Sequence, residues 1–211
     1  MHQCRNCDSP LSSRLELETA ERLLWRAQPQ SQLVKLEKRT SSSRLYEGRI
    51  LNLRVDQVSL ENGRATVREV VEHRGAAAIV PILNDDKVVL VRQYRYAIGS
   101  DLLEIPAGTL EIGEEPEICA RRELEEETGY KCNELSKILE CYVAPGYSSE
   151  KIHFYLAKKL QQSVKKTEED EHIKVEVLPI TLALDKVRSG EIHDAKTVCG
   201  LFRALDYTRA R

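Results

Sequence analysis

The sequence predicts an α+β fold in which helices pack on a mixed β-sheet. Residues 88–91 form an unbroken apolar run, which is typical of a strand buried on both faces. Asn62 and Gly63 separate two strand-like segments, and this pair is typical of a hairpin turn. In the second half of the chain, segments with helix-starting and helix-ending residues alternate with such strands.

The elements follow in order from about residue 44. The predicted strands are residues 50–60, 65–73, 76–83, 88–94, 102–105, 135–143, 152–157 and 173–178. A helix spans residues 116–129, Thr181 caps a short helix that ends at Gly190, and Asp194 caps a final helix. We expect the final helix to bury its apolar side chains, which are Val198, Leu201, Phe202 and Leu205.

Length and composition suit one domain with a short appendage. The chain has 211 residues, which we divide into a partly mobile helical appendage, 1–37, and a folded domain, 38–211. The formal net charge of -2 gives no electrostatic reason to expect nucleic acid or membrane binding. No apolar run has the length of a membrane span, and no signal-peptide pattern is visible, so we expect a cytoplasmic protein.

The six cysteines are scattered along the chain, and we expect reduced thiols. Cys4 and Cys7, with His2 nearby, have the spacing of half a zinc site. A second pair at suitable spacing is absent, so a mobile tail is favoured over a zinc site.

Carboxylates gather on the helix predicted for residues 116–129. Pro116 suits its first turn, and Gly129 suits a left-handed cap at its end. Glu123 and Glu127 are four residues apart and share one face, with Glu126 beside them. Like charges at this spacing repel by roughly 0.2–0.5 kcal/mol per pair, so such a face is either solvated or holds a cation.

The loop before this helix adds further carboxylates, at Glu104, Glu111, Glu114 and Glu115. Carboxylate oxygens without Cys or His neighbours suit hard cations, above all Mg²⁺ or Mn²⁺. The sequence therefore predicts a divalent-metal site on this helix.

The spacing of these residues resembles the Nudix box. Five residues separate Gly108 from Glu114, and seven separate Glu114 from the final cluster. That cluster consists of Arg122, Glu123, Leu124, Glu126, Glu127 and Gly129. Tyr130 departs from the pattern, since the family more often has an aliphatic residue there. The resemblance covers residues 40–208 and implies an α/β/α sandwich. It also implies a pyrophosphohydrolase that uses a divalent metal to cleave a nucleoside diphosphate linked to another group.

The resemblance also assigns roles within the box. It implies that Glu123 and Glu127 are the leading metal ligands and that the carbonyl of Ala107 is a further ligand. Glu126 is either a ligand or part of the surrounding shell. Arg122 is expected to orient the ligands by ion pairing, and Glu114 to anchor the loop or to bind metal through water.

Three stretches outside the box resemble the ADP-ribose pyrophosphatases. Pro145 lies sixteen residues beyond Gly129, and residues 91–95 with 103–108 are similar to the same group. The resemblance implies Mg²⁺-dependent hydrolysis of ADP-ribose to AMP and ribose 5-phosphate. The acidic block that includes Glu169 and Glu171 matches the loop carrying the general base, so Glu169 would be the base and Glu171 a further metal ligand, unless the register differs by one residue.

Several residues are candidates for binding the nucleotide. An arginine fork suits phosphate oxygens, so Arg95 is the first choice for the diphosphate, while Arg92 is either a second one or a solvated strand end. The resemblance implies a homodimer formed by exchange of N-terminal strands around residues 44–73. Arg68 and Tyr46 would then serve the adenine pocket, although Tyr46 also suits a packed strand position. Glu150 either contacts the terminal ribose or holds its loop.

Two other functions remain open at this point. One is hydrolysis of GDP-mannose or of other nucleoside diphosphate sugars by the same chemistry. The other is a non-catalytic Nudix module that senses a nucleotide. Such modules commonly lose box glutamates, and Glu123, Glu126 and Glu127 are all present here.

Overall fold

The computed structural model describes residues 37–84, 86–163 and 173–209 of the chain. The proposed appendage lies outside these residues except for Glu37, and so do Cys4, Cys7, Glu169 and Glu171. The described part contains two β-sheets and three α-helices.

An antiparallel sheet of three strands lies at the N-terminal end of the described chain. Its strands are β1 (Glu37–Glu47), β2 (Leu51–Leu60) and β3 (Ala65–His73), in that spatial order. The predicted turn between β2 and β3 is confirmed, with Gly63 at a φ of 79° and the Leu60 N–H donating to the Arg64 carbonyl at 2.8 Å.

The first strand, β1, was not predicted in full, because the sequence expects strands only from about residue 44. All eleven of its residues are exposed, and most are polar, so no apolar alternation marks them. Backbone pairing with β2 and ion pairs to β3 hold the strand instead, including Arg44 with Glu72 at 2.8 Å. The predicted N-terminal hairpin is therefore a three-stranded sheet.

The second sheet is mixed and has seven strands. They are β4 (Ala76–Leu83), β5 (Lys87–Arg95), β6 (Ser100–Glu104), β7 (Ala107–Thr109), β8 (Tyr130–Tyr142), β9 (Lys151–Gln162) and β10 (Ile173–Pro179). The main order is β10-β5-β4-β9-β8, while β6 pairs with β5 and β7 with β4. Only the β4–β9 pair in the described sheet is parallel.

Helices cover both faces of this sheet. Ala77 and Ile79 of β4 pack with Leu124 of α1 (Pro116–Thr128). Their neighbours on the opposite face pack with α2 (Ile180–Arg188) and α3 (Ala195–Arg209). Successive strand residues point to opposite faces, so one apolar strand supplies both cores. The expected α/β/α sandwich is confirmed, and so is the burial of residues 88–91.

The ends of α1 agree with the sequence. Pro116 occupies the first helical turn, and Gly129 adopts the left-handed conformation, with φ of 74° and its N–H bonded to the Glu125 carbonyl. β8 starts directly after this cap, five residues earlier than predicted. The cap therefore turns the chain from the helix straight into an edge strand.

The two C-terminal helices show one correct cap and two errors. Asp194 caps α3, since its Oδ2 accepts from the Thr197 N–H at 3.0 Å. Thr181 does not cap α2, because the helix begins at Ile180, whose N–H donates to the Asp86 carbonyl at 2.9 Å. Phe202 is 41% exposed, because the buried stripe of α3 runs through Leu201 and skips its neighbour.

Gly200 lets α3 pack closely against the sheet. A methyl group at this position would lie 2.8 Å from Cδ1 of Ile105 and 3.1 Å from Cγ2 of Val80. The start of α3 is consequently held beside the segment that links β6 to β7. No helix within the described ranges has the length and hydropathy needed to cross a bilayer.

Candidate active site

The glutamates of α1 lie directly against the backbone of β7. Glu127 is buried, and its Oε2 accepts from the Ala107 N–H at 3.1 Å. A methyl group at Gly108 would lie 1.8 Å from Oε1 of Glu123. Position 108 therefore has to be glycine for the Glu123 carboxylate to reach this place. The site thus joins two carboxylates to the backbone of residues 107 and 108.

Arg122 binds three carboxylates at once. Its Nε and Nη2 donate to the two oxygens of Glu114 at 2.9 and 3.0 Å. Its Nη1 donates to Glu123 at 2.7 Å and to Glu126 at 2.9 Å. The hydrogen bonds from Arg122 hold the pKa of Glu114 below its usual range, although burial acts in the opposite direction. Arg122 thereby offsets the repulsion among carboxylates that would otherwise spread apart.

The atoms available to a metal here are oxygens. Burial, together with the charges of Glu123 and Glu114, raises the pKa of the Cys119 thiol to about 12, so its sulfur stays protonated. That sulfur faces the Gly108 carbonyl at 3.6 Å and is not a thiolate ligand. The predicted ligands, which are Glu123, Glu127 and the carbonyl of Ala107, would offer only oxygens, and such a set fits a hard divalent cation.

This set contains two carboxylates, and Glu171 would be the third. Across residues 37–84, 86–163 and 173–209, no three His, Cys, Asp or Glu side chains are grouped so as to hold a metal ion. Glu171 lies outside those ranges. The described residues therefore include the two helical carboxylates of the predicted site, and the third carboxylate stays a prediction.

Glu104 is a buried anion with two cationic partners. It is fully buried, Arg95 donates to its carboxylate through Nε at 2.8 Å and Nη2 at 2.7 Å, and Lys196 donates through Nζ. Burial would raise the pKa of Glu104, but the hydrogen bonds and charges of Arg95 and Lys196 outweigh it and lower that pKa. The sequence grouped Glu104 with the metal-site carboxylates, whereas its described partners are these two cations.

Arg95, predicted to bind diphosphate, lies near the carboxylate cluster. Its hydrogen bond to Glu104 raises its pKa, and the charge of Glu127 acts in the same direction. The side-chain amide oxygen of Gln93, Oε1, plays no part in this network. It is on the same strand face, is buried, and has no hydrogen-bond partner in the described region.

The start of α3 also contacts the segment before Ala107, which the sequence did not predict. Thr197 is fully buried, and its Oγ1 accepts from the Ile105 N–H at 2.9 Å while donating to Asp194 at 2.6 Å. Lys196 donates to the same Asp194 oxygen at 3.0 Å. The only sequence signal was the cap at Asp194, which does not reveal contacts across 92 residues.

Arg92 is not brought to the carboxylates. It alternates with Val91 on β5, so it shares the strand face of Leu90, toward α2 and α3. Its Nε donates to Glu176 of β10 at 2.7 Å. This pair lies on the opposite face of the sheet from α1.

The loop that contains Pro145 is hydrogen-bonded to β3. The Val71 N–H donates to the Tyr147 carbonyl at 2.8 Å, and the Ser149 N–H donates to the Val71 carbonyl at 3.0 Å. Ser149 Oγ accepts from the His73 N–H at 3.0 Å. Glu150 is partly exposed, with its Oε1 3.9 Å from Nδ1 of His73. The loop thus connects the three-stranded sheet to the seven-stranded one.

The two residues predicted for the adenine pocket lie on the three-stranded sheet. Arg68 donates through Nε to Glu37 at 3.0 Å, and Tyr46 is 57% exposed. Their described hydrogen bonds and ion pairs do not include the carboxylates of α1.

Comparisons with known proteins agree with this arrangement. Residues 72–199 match the family model described as the NUDIX domain, and residues 37–71 match the one described as the nucleoside diphosphate sugar hydrolase N-terminal domain. The chain is 44% identical over 163 residues to the ADP-ribose pyrophosphatase of Bacillus subtilis, covering 76% of this chain and 88% of that protein.

Two further similarities extend the comparison. The GDP-mannose pyrophosphatase of Salmonella typhimurium is 45% identical over 142 residues, which is 62% of this chain and 73% of that protein. A solved structure described as the crystal structure of ADP compounds hydrolase has a TM-score of 0.75 and 24% identity, covering 85% of this chain and 98% of that one. The second similarity concerns the fold.

The contact at Gly108 generates the first testable prediction. In Gly108→Ala, the new methyl group displaces the Glu123 carboxylate, so we expect Mn²⁺ affinity to fall by about tenfold or more. Titration of the purified protein with Mn²⁺, followed by electron paramagnetic resonance, measures this affinity. Gly146→Ala is the control, because a methyl group there meets no atom within 4 Å. Equal affinities for the two variants would contradict the role of Gly108.

The ion pairs of Glu104 predict a pH-dependent stability. Its folded pKa lies below the ordinary 4.5, so its stabilisation is present above that value and is lost as the pH falls through the folded pKa. We expect Glu104→Gln to lower the free energy of unfolding by about 3 kcal/mol at pH 7, by stranding two cations. The difference from the unmodified chain should shrink below pH 4.5.

Urea denaturation between pH 3 and 7, at about five pH values, measures this difference. Glu134→Gln is the control, because Glu134 pairs with Lys159 on an exposed surface and its loss should change stability little. A pH-independent difference for Glu104→Gln would show that the charge of Glu104 is not the cause.

Proposed function

The chain belongs to the Nudix hydrolase family, and from this membership we propose that it cleaves the diphosphate bond of ADP-ribose to give AMP and ribose 5-phosphate. The observation that carries the proposal is the contact of Glu123 and Glu127 with the backbone of residues 107 and 108. The 44% identity to an ADP-ribose pyrophosphatase supports the choice of substrate.

Nudix hydrolases generally use a divalent metal, and we propose Mg²⁺, with Mn²⁺ as a substitute. Glu123, Glu127 and the Ala107 carbonyl would hold it, with Glu171 as a further ligand and Glu126 as a ligand or an outer neighbour. When bound, such a cation would offset the charge of the diphosphate and lower the pKa of a water molecule. Arg122 keeps the glutamates in place through its own hydrogen bonds.

Arg95 is the proposed ligand of the diphosphate. In the structure its guanidinium group donates hydrogen bonds to Glu104, and Lys196 donates to the same carboxylate. Arg95 can therefore turn toward phosphate oxygens while Glu104 keeps one cationic partner. Arg92 is a weaker choice, because its side chain is on the other face of β5 and is paired with Glu176.

Glu169 is the proposed general base, and its support is the resemblance of the acidic block to the family's catalytic loop. Its carboxylate would take a proton from the attacking water as oxygen bonds to one phosphorus. The bond from that phosphorus to the bridging oxygen then breaks, and the leaving phosphate keeps the electron pair. One water is consumed, and two phosphomonoesters are formed.

The remaining assignments concern the two ends of the substrate. Glu150, in the loop joined to β3, is proposed to contact the terminal ribose. Arg68 and Tyr46 are proposed for the adenine pocket of a cytoplasmic homodimer, and the match of residues 37–71 to a nucleoside diphosphate sugar hydrolase N-terminal domain supports a substrate role for that sheet.

GDP-mannose is the second candidate substrate. The Salmonella typhimurium GDP-mannose pyrophosphatase is as similar in percentage identity, at 45%, although its alignment is shorter, at 142 residues against 163. The longer alignment favours ADP-ribose, and a direct comparison of the two substrates decides between them.

We expect purified protein with Mg²⁺ to hydrolyse ADP-ribose at least about tenfold more efficiently than GDP-mannose, UDP-glucose or NADH, a difference of roughly 1.4 kcal/mol in the barrier. Phosphate release coupled to a phosphatase measures kcat/KM, and chromatography identifies AMP. Removal of metal with EDTA should abolish turnover. Preference for another sugar nucleotide would keep the chemistry and replace the substrate, whereas inactivity on the whole panel with Mg²⁺ and Mn²⁺ would favour a nucleotide-sensing module.

The assignment of the base gives a separate prediction. We expect Glu169→Gln to lower kcat by about 10² to 10⁴, the usual contribution of a general base, with ADP-ribose binding retained. Glu171→Gln is the comparison, because loss of a metal ligand should raise the Mg²⁺ concentration needed for half-maximal rate. Near-normal turnover of Glu169→Gln would place the base elsewhere, with Glu171 the next candidate.

A further inference from the structure

Every residue from Glu104 to Ala107 is held by a contact, either through its side chain or through its backbone. Glu104 is fixed by Arg95 and Lys196, and the Ile105 N–H donates to Thr197. Pro106 has no N–H, but its carbonyl accepts from the Ile79 N–H at 2.9 Å. The Ala107 N–H donates to Glu127 at 3.1 Å. This short segment therefore connects α3 on one face of the sheet to α1 on the other.

The first turn of α3 supplies the contacts on one side of this segment. Asp194 Oδ2 accepts from the Thr197 N–H, from Thr197 Oγ1 and from Lys196 Nζ, which orients both side chains. Thr197 and Lys196 then contact consecutive residues, Ile105 and Glu104. The close packing of Gly200 on Ile105 fixes the distance between this turn and the segment.

An ordinary helix cap does not require these contacts. Asp194 satisfies the Thr197 N–H alone, as any capping aspartate does. The Thr197 hydroxyl also accepts from the buried Ile105 N–H, 92 residues earlier in the chain. This bond stabilises the segment and is not needed to cap the helix. Ile105 lies two residues before Ala107 in the same short segment, so we expect a shift at Ile105 to move the Ala107 carbonyl.

We propose that Thr197 and Lys196, oriented by Asp194, are positioning residues that hold the Ala107 carbonyl toward the cation shared with Glu123 and Glu127. The inference rests on the proposed function in one respect, which is the use of the Ala107 carbonyl as a metal ligand. It adds Asp194, Lys196 and Thr197, at the start of the C-terminal helix, to the residues that organise the site. None of the three contacts substrate in this role.

The test compares Thr197→Val with Thr197→Ser. Valine keeps the shape of threonine but leaves the buried Ile105 N–H without an acceptor, and a buried N–H that loses its partner drives local rearrangement. Serine keeps the hydroxyl. We expect Thr197→Val to weaken Mn²⁺ binding by about tenfold, within the range seen for residues that orient metal ligands. The Mn²⁺ affinity of Thr197→Ser should stay within about twofold of that of the unmodified chain.

Mn²⁺ affinity is measured on the whole chain without substrate, at a temperature where thermal unfolding shows each variant to be folded. Steady-state kinetics with ADP-ribose at varied Mg²⁺ provides a second readout. Thr197→Val should raise the Mg²⁺ concentration for half-maximal rate, while KM for ADP-ribose at saturating Mg²⁺ stays the same. Thr208→Val is the matched control, because Thr208 is exposed on the same helix and, within the described part of the chain, its hydroxyl donates to the Leu205 carbonyl of its own helix.

The possible outcomes separate the positioning role from the proposed metal chemistry. A purely structural role of Thr197 predicts lower thermal stability with unchanged Mn²⁺ affinity in the folded variant, and that result would overturn the positioning role alone. A chain that binds no Mn²⁺ in its unmodified form would overturn both this inference and the proposed metal chemistry.

A second pair of variants covers the case in which Thr197→Val does not fold. Lys196→Met removes the donation to Glu104 and Asp194 and keeps most of the side-chain volume, whereas Lys196→Arg keeps a cation. We expect the methionine variant to bind Mn²⁺ several times more weakly, by about threefold to tenfold, and the arginine variant to recover part of the loss. Equal affinities for both variants and the unmodified chain would contradict the proposal.

Discussion

The approach of the α1 carboxylates to the backbone of residues 107 and 108 is the constraint on which the rest of the structure depends. It requires α1 and β7 to meet on one face of the sheet, and it requires a residue without Cβ at position 108. β7 is only three residues long and is fixed by pairing with β4. The buried strands β4 and β5, with helices on both faces, provide the rigid base that such a short strand needs.

Charge around this contact is arranged to orient side chains more than to stabilise the fold. Arg122 binds Glu114, Glu123 and Glu126, and Glu104 binds Arg95 and Lys196. Burying ions costs several kcal/mol each, roughly what good ion pairing returns, so the net gain in stability from such networks is small. What the networks determine is the orientation of the side chains, because Arg122, Arg95 and Lys196 donate to particular carboxylate oxygens.

The helix and its carboxylates were predictable because their signals are local. Pro116, Gly129 and the four-residue spacing of Glu123 and Glu127 fix α1 without knowledge of any other element. β1 was missed because polar residues paired on an edge leave no periodic signal. The pairing of Arg92 with Glu176 depends on strand pairing, and that of Glu104 with Lys196 depends on the packing of α3. These contacts join residues 84 and 92 positions apart. Local patterns carry no information about such pairings.

The loop that contains Pro145 is attached to the three-stranded sheet, because it forms hydrogen bonds with Val71 and His73 of β3. Whatever displaces that sheet displaces the loop with it, and whatever orders the loop restrains the sheet. A ligand that orders one of these elements would therefore be thermodynamically linked to the other, and linkage of this kind acts equally in both directions. The hydrogen bonds at β3 thus couple the N-terminal sheet to the connection between β8 and β9.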